Sequence, residues 1–358
     1  MTFRVLALAG AGMLAACSGG TTDLRRPPVS TPAPPPPGSI GTFATLTTIG
    51  STVDAGPGAG AGDQNPYGLA IATATSGKEV QGDLIVCNFN DAANVQGNGT
   101  TIEQLAPTPG SAPTRLISDP ALKGCNAVSM APNGNVWVAA YTANDNPIVS
   151  PAGTINTTLS QNAWAGPWGQ MFNAGTAKMP TFFETNAKNG TVTRIHINPG
   201  PSFTFDTILS GLTYSGAPGN LIAPAGLTYD AASDSLYVVD SNADRVLKIA
   251  QATTAPANAY AASGTGFNSP SVGVVYAGAP LAAPISSAML ANGRLVVGNT
   301  ADNRLVEIDP ASGSVVSTKV VDGGAAGAIF GIVATASSGT QYIYFNDDNT
   351  NTVVRLSP

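Results

Sequence analysis

The sequence predicts an all-β protein, a six-bladed β-propeller closed by a strand from before the first blade. Two observations lead to this prediction: a hairpin pattern that recurs along the chain, and an apolar signal that precedes most of its copies. Each hairpin reads as an apolar run, an Asn or Asp, a polar turn and a second β-rich run. Five copies align on one eleven-residue pattern, starting at Leu84, Phe182, Leu236, Leu295 and Ile343. A supersecondary unit repeated in this way indicates a ring of similar small sheets.

Two strands of each blade can be placed from these signals. The upstream signal, seen as NPYGLAIA, GPWGQMF and APAGLTYD, marks the inner strands, which we expect to start near Pro66, Cys125, Pro167, Pro224, Pro284 and Ile329. The second strands are expected to start near Leu84, Val136, Phe182, Leu236, Leu295 and Ile343. Runs such as LIVC, VWVAA and LYVV are apolar on both faces, whereas a half-exposed sheet would alternate. Blades packed between two neighbours bury both faces, which explains these runs.

Closure of the ring is predicted from the two ends of the repeat region. Six blades over residues 41–358 give each blade roughly fifty residues, near the upper end of known blade lengths. The sequence ends on VVRLS, a third strand, so the sixth blade lacks its outer strand. The segment GTFATLTTIG, residues 41–50, is β-rich and has no other partner. We therefore expect it to complete the sixth blade, which leaves no open sheet edge between the first and last blades.

Residues 224–246 show the repeat most clearly. Their pattern P-x-G-L-x-x-D, followed by L-Y-V-x-D-S-x-x-x-R-V, resembles the NHL repeat. The resemblance is weak in the second blade, where Ala140 replaces the Asn or Asp. It implies a six-bladed propeller, with a more distant similarity to gluconolactonase-like propellers. Because the family includes interaction modules as well as an amidating lyase, the resemblance implies a fold rather than a function.

Composition excludes one class of function. Charged residues make up 10 % of the chain, against roughly 25 % in a typical soluble domain, and the formal net charge is −6. Lys and Arg form no cluster, so the chain lacks the basic surface that nucleic-acid binding requires. With 41 Gly and 28 Pro, turns are frequent and long helices are not expected after the N-terminus.

The N-terminal residues are predicted to be a targeting signal rather than part of the folded domain. Residues 1–16 contain one early charge, Arg4, and an apolar stretch that is too short to span a bilayer and typical of a secretory signal. The string LAAC at residues 14–17 resembles the bacterial lipoprotein signal, which implies that Cys17 is lipidated and attaches the protein to a membrane. By the same resemblance, Ser18 favours a periplasm-facing lipoprotein of the outer membrane. The alternative is an ordinary secretory signal with a chance Cys, and hence a secreted protein.

Residues 17–40 are predicted to form a proline-rich tether. Four consecutive prolines, Pro34 to Pro37, and the small polar residues around them cannot build a core and favour an extended spacer. Such a tether would hold a folded domain clear of the membrane surface.

The two remaining cysteines, Cys87 and Cys125, are a disulfide candidate. In an oxidising periplasm an even pair of cysteines is expected to bond. The repeat alignment places them at the same end of neighbouring blades. Two separate buried thiols are the alternative.

Polar residues end the first strand of each repeated hairpin. We predict that their side chains form Asx turns, in which they accept from backbone N–H groups two residues further on. The alternative is a ring of oxygen ligands near the channel mouth. Their presence in every blade but one favours the structural role: Asn88, Asn186, Asp240, Asn299 and Asp347.

Metal and catalytic candidates are few. The single histidine, His196, excludes a His-rich zinc site. Gluconolactonase-like enzymes hold calcium with Glu, Asn and Asp, so Glu184, the one acidic residue within a second strand, is a weak candidate for a calcium ligand. The simpler expectation is that Glu184 pairs with Arg194 across its own hairpin. No G-x-S-x-G elbow or Ser-His-Asp set is assembled by spacing, so we predict no catalytic residue and calcium as the one candidate cofactor.

Aromatic residues break the symmetry of the repeat. Tyr67, Trp168 and Phe330 each follow the start of an inner strand, and Trp164 precedes the third blade. An aromatic-lined channel mouth would suit a small apolar ligand, a sugar face or a peptide segment. The alternative is that these side chains plug the channel as ordinary packing.

The sequence therefore predicts a lipid-anchored propeller of the cell envelope. We expect it to be a monomer that binds an envelope protein or a small ligand at the face where the inner strands start. One alternative is a calcium-dependent lactonase or hydrolase of the gluconolactonase type. The other is a passive envelope scaffold.

Overall fold

The computed structural model describes residues 38–173, 180–200, 202–215, 223–264 and 266–358. The signal at residues 1–16, Cys17 and the tether up to residue 37 lie outside these ranges. Ser39 and Ile40, which the sequence analysis places in the tether, are buried, and the Ile40 N–H donates to Glu307 Oε2 at 2.9 Å. Within the described ranges, no helix is both long and apolar enough to cross a membrane.

Short strands make up most of the described chain, beginning with β1 (Thr45–Ser51). Blade one consists of β2 (Gln64–Ile71), β3 (Leu84–Asn90), β4 (Thr101–Leu105) and β5 (Thr114–Ser118). Blade two consists of β6 (Cys125–Met130), β7 (Val136–Ala140), β8 (Asn146–Val149) and β9 (Ile155–Leu159). Blade three begins with β10 (Pro167–Phe172), β11 (Thr181–Asn186), β12 (Thr191–Asn198) and β13 (Ser202–Ser210).

The second half of the ring repeats this order. Blade four consists of β14 (Pro224–Asp230), β15 (Ser235–Asp240), β16 (Arg245–Ala250) and, after the small hairpin of β17 (Tyr260–Ser263) and β18 (Gly266–Phe267), β19 (Val272–Ala277). Blade five consists of β20 (Pro284–Met289), β21 (Leu295–Asn299), β22 (Arg304–Asp309) and β23 (Ser314–Val320). Blade six contains β24 (Ile329–Ser337), β25 (Thr340–Asp347) and β26 (Thr352–Ser357). Among described residues, 3-10 helices cover Ile40–Thr42, Pro120–Leu122 and Ser241–Ala243.

These strands form six small sheets, and the chain is a six-bladed β-propeller, as predicted. Five of the six inner strands begin at the expected residue, and β2 begins two residues before Pro66. Blade three differs from the others because β17 pairs in parallel with β13, which extends its sheet to the order β10-β11-β12-β13-β17-β18. The repeat pattern contains no signal for this addition.

The predicted closure of the ring is confirmed. Strand β1 pairs antiparallel with β26, from Thr45 opposite Ser357 to Ser51 opposite Thr352, and becomes the outer strand of blade six. A bulge between Thr48 and Gly50 shifts the register by one residue. One sheet therefore joins the two ends of the propeller.

Glycines of the P-x-G-L signal let neighbouring inner strands approach each other. A Cβ on Gly169 of blade three would collide with the carbonyl oxygen of Ala225 in blade four. A Cβ on Gly331 of blade six would collide in the same way with the Tyr67 carbonyl of blade one. Because only glycine leaves room for backbone at this distance, these positions set how tightly the inner strands close around the axis.

Apolar clusters fill the spaces between blades. Between blades one and two, Ile85 packs with Val128 and Val138, all of them nearly or completely buried. The same cluster contains Cys87 and Cys125, which form a disulfide with their Cα atoms 5.5 Å apart. This separation is ordinary for a disulfide, so the bond connects two blades at a distance the fold already provides.

Candidate functional site

The inner strands of all six blades enclose an axial cavity of about 390 Å³. Its lining begins one to three residues after the start of each inner strand and covers residues 67–71, 126–130, 168–172, 226–229, 285–289 and 330–334. Near the strand ends, Ile71, Tyr229 and Met289 are partly exposed. At the opposite end, Tyr67 and Trp168 are only 8 % and 5 % exposed, and Phe330 is the one partly exposed ring of the three. The cavity is therefore more accessible from the end at which the inner strands finish.

An aromatic cluster closes the cavity at the end where the inner strands start. Tyr67 stacks on Phe330 with ring centroids 3.6 Å apart and on Phe89 with centroids 4.5 Å apart. Trp168 meets the edge of Tyr67 at 6.1 Å, and Tyr141 lies 5.4 Å from Trp168. Three of the four aromatic residues singled out from the sequence are thus brought together. They form the floor of the cavity. Their rings also pack against one another, as expected from the alternative interpretation that these side chains plug the channel.

Two members of this cluster were not foreseen. Phe89 directly follows the Asx position of blade one, and Tyr141 follows Ala140, the corresponding position of blade two. In the other four blades the residue after the Asx position is not aromatic. An aromatic residue at this position in blades one and two was therefore the sequence signal that could have predicted Phe89 and Tyr141 as cluster members. Trp164, in contrast, lies outside the cluster and packs edge-on against Phe205 at 5.6 Å, between blades two and three.

Polar atoms within the cavity lining are few and mostly paired. The Thr228 and Ser287 hydroxyls share a hydrogen bond of 2.8 Å between blades four and five. Asn126 Nδ2 donates to the Trp168 carbonyl oxygen at 2.8 Å between blades two and three. Ser286 Oγ donates to the Phe330 carbonyl oxygen between blades five and six. These contacts connect inner strands, and no charged residue lies among the described residues that line the cavity.

The repeated Asx positions connect separate elements more than they cap local turns. Asp347 accepts from the Thr350 N–H at 3.3 Å and so acts within its own hairpin. Asn88 Nδ2 donates to the Thr52 carbonyl oxygen at 2.9 Å, and Asn186 Oδ1 accepts from the Ala165 N–H at 3.2 Å. Asn299 Nδ2 donates to Pro280, and Asp240 accepts from the Arg245 guanidinium at 2.7 Å. The expected two-residue turn therefore does not describe these four contacts: the asparagines hold neighbouring segments to the hairpin, and Asp240 pairs with Arg245 across its own hairpin.

Glu184 is completely buried between blades two and three. Its Oε2 accepts from Asn146 Nδ2 at 2.6 Å and from Gln170 Nε2 at 2.9 Å, while its Oε1 is buried without a hydrogen-bond partner. Burial raises the pKa of the Glu184 carboxyl to about 8, and the two amide donors only partly offset this effect. The carboxyl is therefore mainly protonated at neutral pH and a poor ligand for calcium.

The predicted pairing of Glu184 with Arg194 is wrong. In the β11–β12 ladder, Glu184 lies opposite Thr193, and Arg194 lies opposite Phe183 on the other face of the sheet. Arg194 instead binds Asp206 of β13 at 2.6 Å. His196 Nε2 lies 3.5 Å from the same carboxylate.

The position of Glu184 is apolar in every other blade. The corresponding second-strand residues are Val86, Val138, Val238, Val297 and Phe345. Its partner Gln170 likewise occupies a position that is Leu69 in blade one and Leu227 in blade four. Blade three thus replaces two core residues with a hydrogen-bonded polar pair.

Of the other buried carboxylates, Glu103 and Glu307 are paired with arginines, whereas both oxygens of the Glu79 carboxyl are buried without a hydrogen-bond partner. Glu103 binds Arg115 at 2.5 Å, and Glu307 binds Arg294 at 3.1 Å as well as the Ile40 N–H. Among the residues that the structure describes, no group of three His, Cys, Asp or Glu side chains is placed to hold a metal ion. Calcium binding at Glu184 stays a prediction that this geometry does not favour.

Comparison with known proteins places the fold in context. No protein-family model and no curated protein sequence matches the chain. A catalytically inactive virginiamycin B lyase from Staphylococcus aureus with quinupristin aligns at TM-score 0.53 and 13 % identity, over 88 % of this chain and 99 % of that chain. A gluconolactonase from Xanthomonas campestris aligns at TM-score 0.56 and 12 % identity, over 87 % and 89 % of the two chains. A chain of the nidogen–laminin complex aligns at TM-score 0.50 and 16 % identity, over 72 % and 80 %.

These similarities concern the fold alone. The three structures are named for a lyase, a lactonase and a protein complex, so propellers of this shape serve unrelated functions. The predicted six-bladed architecture is confirmed, and membership in the NHL family stays a prediction. Any function must be argued from the chain's own cavities and side chains.

Proposed function

We propose that this protein binds a small, largely apolar ligand in its axial cavity, as a lipid-anchored protein of the bacterial cell envelope. The observation that carries the proposal is a cavity of about 390 Å³ with an aromatic floor and an accessible opposite end. Its size falls within the roughly 300–1,000 Å³ range of small-molecule sites. The ligand would enter where the inner strands end, at the face opposite the one expected from the sequence.

The lining indicates the chemistry of the ligand. Side chains such as Ile71, Met289 and Val333 offer apolar surface, and the floor offers the rings of Tyr67 and Phe330. Hydroxyl groups of Ser129 and Ser287 provide a few polar contacts. A charged ligand would lose its hydration without gaining a counter-charge, so a neutral, mainly apolar molecule fits best.

A dye-binding experiment, followed by fluorescence, tests the cavity. The chain carrying Cys17→Ser, which cannot be lipidated, is titrated with the neutral dye N-phenyl-1-naphthylamine. We expect dye fluorescence to rise with a single saturable site. Ala334→Trp fills the accessible end of the cavity and should weaken dye binding by about tenfold or more.

A matched variant controls for added hydrophobic surface. Ala336 lies two residues further along β24, is exposed and does not line the cavity. Ala336→Trp should therefore leave dye affinity unchanged. Absence of saturable binding, or equal affinity in both tryptophan variants, would refute the axial site.

The anchor is supported by the sequence and tested separately. The LAAC string at residues 14–17 and the proline-rich tether are typical of a bacterial lipoprotein, and the Cys87–Cys125 disulfide suits an oxidising compartment. Growth with an alkyne fatty acid should label the protein and leave the Cys17→Ser variant unlabelled. Label-free protein with an intact Cys17 would contradict lipidation.

The other two candidate functions become outcomes of these experiments. A calcium-dependent lactonase would show calcium binding by calorimetry and lactone hydrolysis, although the described residues contain no group of three His, Cys, Asp or Glu side chains placed to hold a metal ion. If neither dye nor calcium binds, and cross-linking in envelopes recovers no protein partner, a passive scaffold is the remaining explanation.

A further inference from the structure

A second cavity lies between blades two and three, away from the axis. Its volume is about 720 Å³, and Phe172 borders both it and the axial cavity. Blade two contributes the β6–β7 turn together with β7, β8 and β9, and blade three contributes β10, β12 and β13. We call this space the interblade groove, defined by a floor of Trp137, Ile148, Phe172, Ile197 and Phe203 and a rim of Asn133, Asn135, Asn156 and Thr157.

The floor of the interblade groove is aromatic and well packed. The Trp137 ring lies 4.4 Å from Phe182 and meets Phe203 edge-on at 5.8 Å. Trp137 is only 3 % exposed, so its ring is held in place, whereas Phe203 on the outer strand β13 is partly exposed. The groove therefore presents a fixed apolar surface with one aromatic side chain accessible at its outer edge.

The rim of the groove is made of neutral amides and a hydroxyl. Asn133 Oδ1 accepts from the Asn135 N–H at 3.1 Å, which fixes the turn that carries both side chains. Asn156 Nδ2 of β9 approaches Asn135 Oδ1 at 3.5 Å, so the two sides of the rim meet. Asn133, Asn156 and Thr157 are exposed. No charged residue occurs among the described residues that line the groove.

We propose that the interblade groove is a binding site for a neutral oligosaccharide. A sugar ring has an apolar face of C–H groups, which packs on aromatic surface, and hydroxyl groups around its edge, which both donate and accept. Asn side chains also both donate and accept hydrogen bonds. The Asn amides of the rim can therefore pair with sugar hydroxyls that act as donors and with those that act as acceptors. A carboxylated or sulfated sugar would find no cation among the described residues that line the groove, and a purely apolar molecule would leave the amides without partners.

This proposal is independent of the axial site. The two amide side chains that line the axial cavity, Asn126 and Gln170, are buried and donate within the protein, whereas the rim amides border the groove alone. A sugar bound in the groove should therefore leave dye affinity in the axial cavity unchanged.

Saturation-transfer difference NMR tests the groove on the chain with Cys17→Ser. The probes are cellobiose, maltose and N,N′-diacetylchitobiose, with digalacturonic acid as the charged comparison. We expect at least one neutral disaccharide to bind and the charged one not to bind. The bound sugar should also change the fluorescence of Trp137, an effect that Trp137→Phe removes.

Two matched pairs of variants locate the binding. Phe203→Ala removes the accessible ring and should weaken binding by about tenfold, while Val274→Ala removes an exposed apolar side chain from the outer strand of blade four and should not. Asn133→Ala should weaken binding by a similar factor, while Asn292→Ala should not. Asn292 holds the same turn position in blade five, where its Oδ1 accepts from the Arg294 N–H at 3.0 Å, so both variants lose the same local hydrogen bond.

The binding measurements on the variants and on the probes decide whether the groove binds sugar. Binding that falls with Phe203→Ala and Asn133→Ala but not with their controls supports the proposal, provided that all four variants keep the parent melting temperature. Lack of binding by every neutral probe, a preference for digalacturonic acid, or equal losses within each pair would overturn it. Displacement of the axial dye by the sugar would also overturn it, because the sugar would then occupy the other cavity.

Discussion

Replacement of Glu184 by glutamine should make the protein more stable in alkaline solution. Burial raises the pKa of the Glu184 carboxyl from 4.5 to about 8, and this buried group has no cation beside it. Asn146, Gln170 and the facing Thr193 carry no charge, and β7, which also packs here, contains only apolar residues. The folded chain therefore retains a proton that the unfolded chain releases at lower pH.

The sign and size of the effect follow from this difference in pKa. The stability that Glu184 contributes is fully present below about pH 4.5 and is lost progressively as the pH rises to about 8. At 1.36 kcal/mol for each pH unit, the loss amounts to roughly 5 kcal/mol. Glu184→Gln has nearly the same volume, and its side-chain oxygen can accept from the same two amides. The variant should therefore match the parent at about pH 4 and exceed it by several kcal/mol at about pH 9.

Urea unfolding of the parent and of Glu184→Gln at several pH values measures this directly. Other titrating groups cancel because both proteins share them. If the difference between Glu184→Gln and the parent stays constant across the pH range, Glu184 is not protonated in the folded chain and the reasoning fails.

Three further predictions concern the construction of the ring. Replacing Cys87 and Cys125 by alanine opens a loop with a sequence separation of 38 and should lower the free energy of unfolding by about 4 kcal/mol, measured in urea. Gly169→Ala should cost about 1–3 kcal/mol in the same measurement, because the new Cβ meets the Ala225 carbonyl, whereas Gly273→Ala in β19, where a Cβ meets nothing within 4 Å, adds no such collision. Deleting residues 45–51 exposes the edge of β26 and should lower the melting temperature and promote aggregation, seen by light scattering; unchanged behaviour would show that β1 is dispensable.

Much of the fold could be predicted because each blade repeats the same local signals. Pro167, Pro224 and Pro284 mark inner strands whose first residues the structure confirms. The closing role of β1 followed from an unpaired strand at each end of the repeat region. The β17–β18 addition could not be predicted, because the residues around it follow no repeat and pair with blade three rather than with their own blade.

The site was harder to predict because it depends on register and on contacts between blades. A shift of one residue in the β11–β12 ladder decides which face a side chain occupies, and it puts Arg194 on the face opposite Glu184. The actual partner, Asn146, comes from blade two, and no local pattern connects it with Glu184. The aromatic floor was partly foreseen since Tyr67, Trp168 and Phe330 share one position in the repeat. The contribution of Phe89 became visible only when the strands were placed together.

The pairing of β1 with β26 also determines when the ring can close during synthesis of the chain. The ribosome makes β1 before all the blades and β26 after them, so one strand has no sheet to join until the other emerges. Bringing together two segments this far apart in the chain carries the largest loop-closure cost in the molecule and makes folding slow. During that interval the unpaired edge of β1 is open to pairing with other chains, and it stays so until the final strand is made.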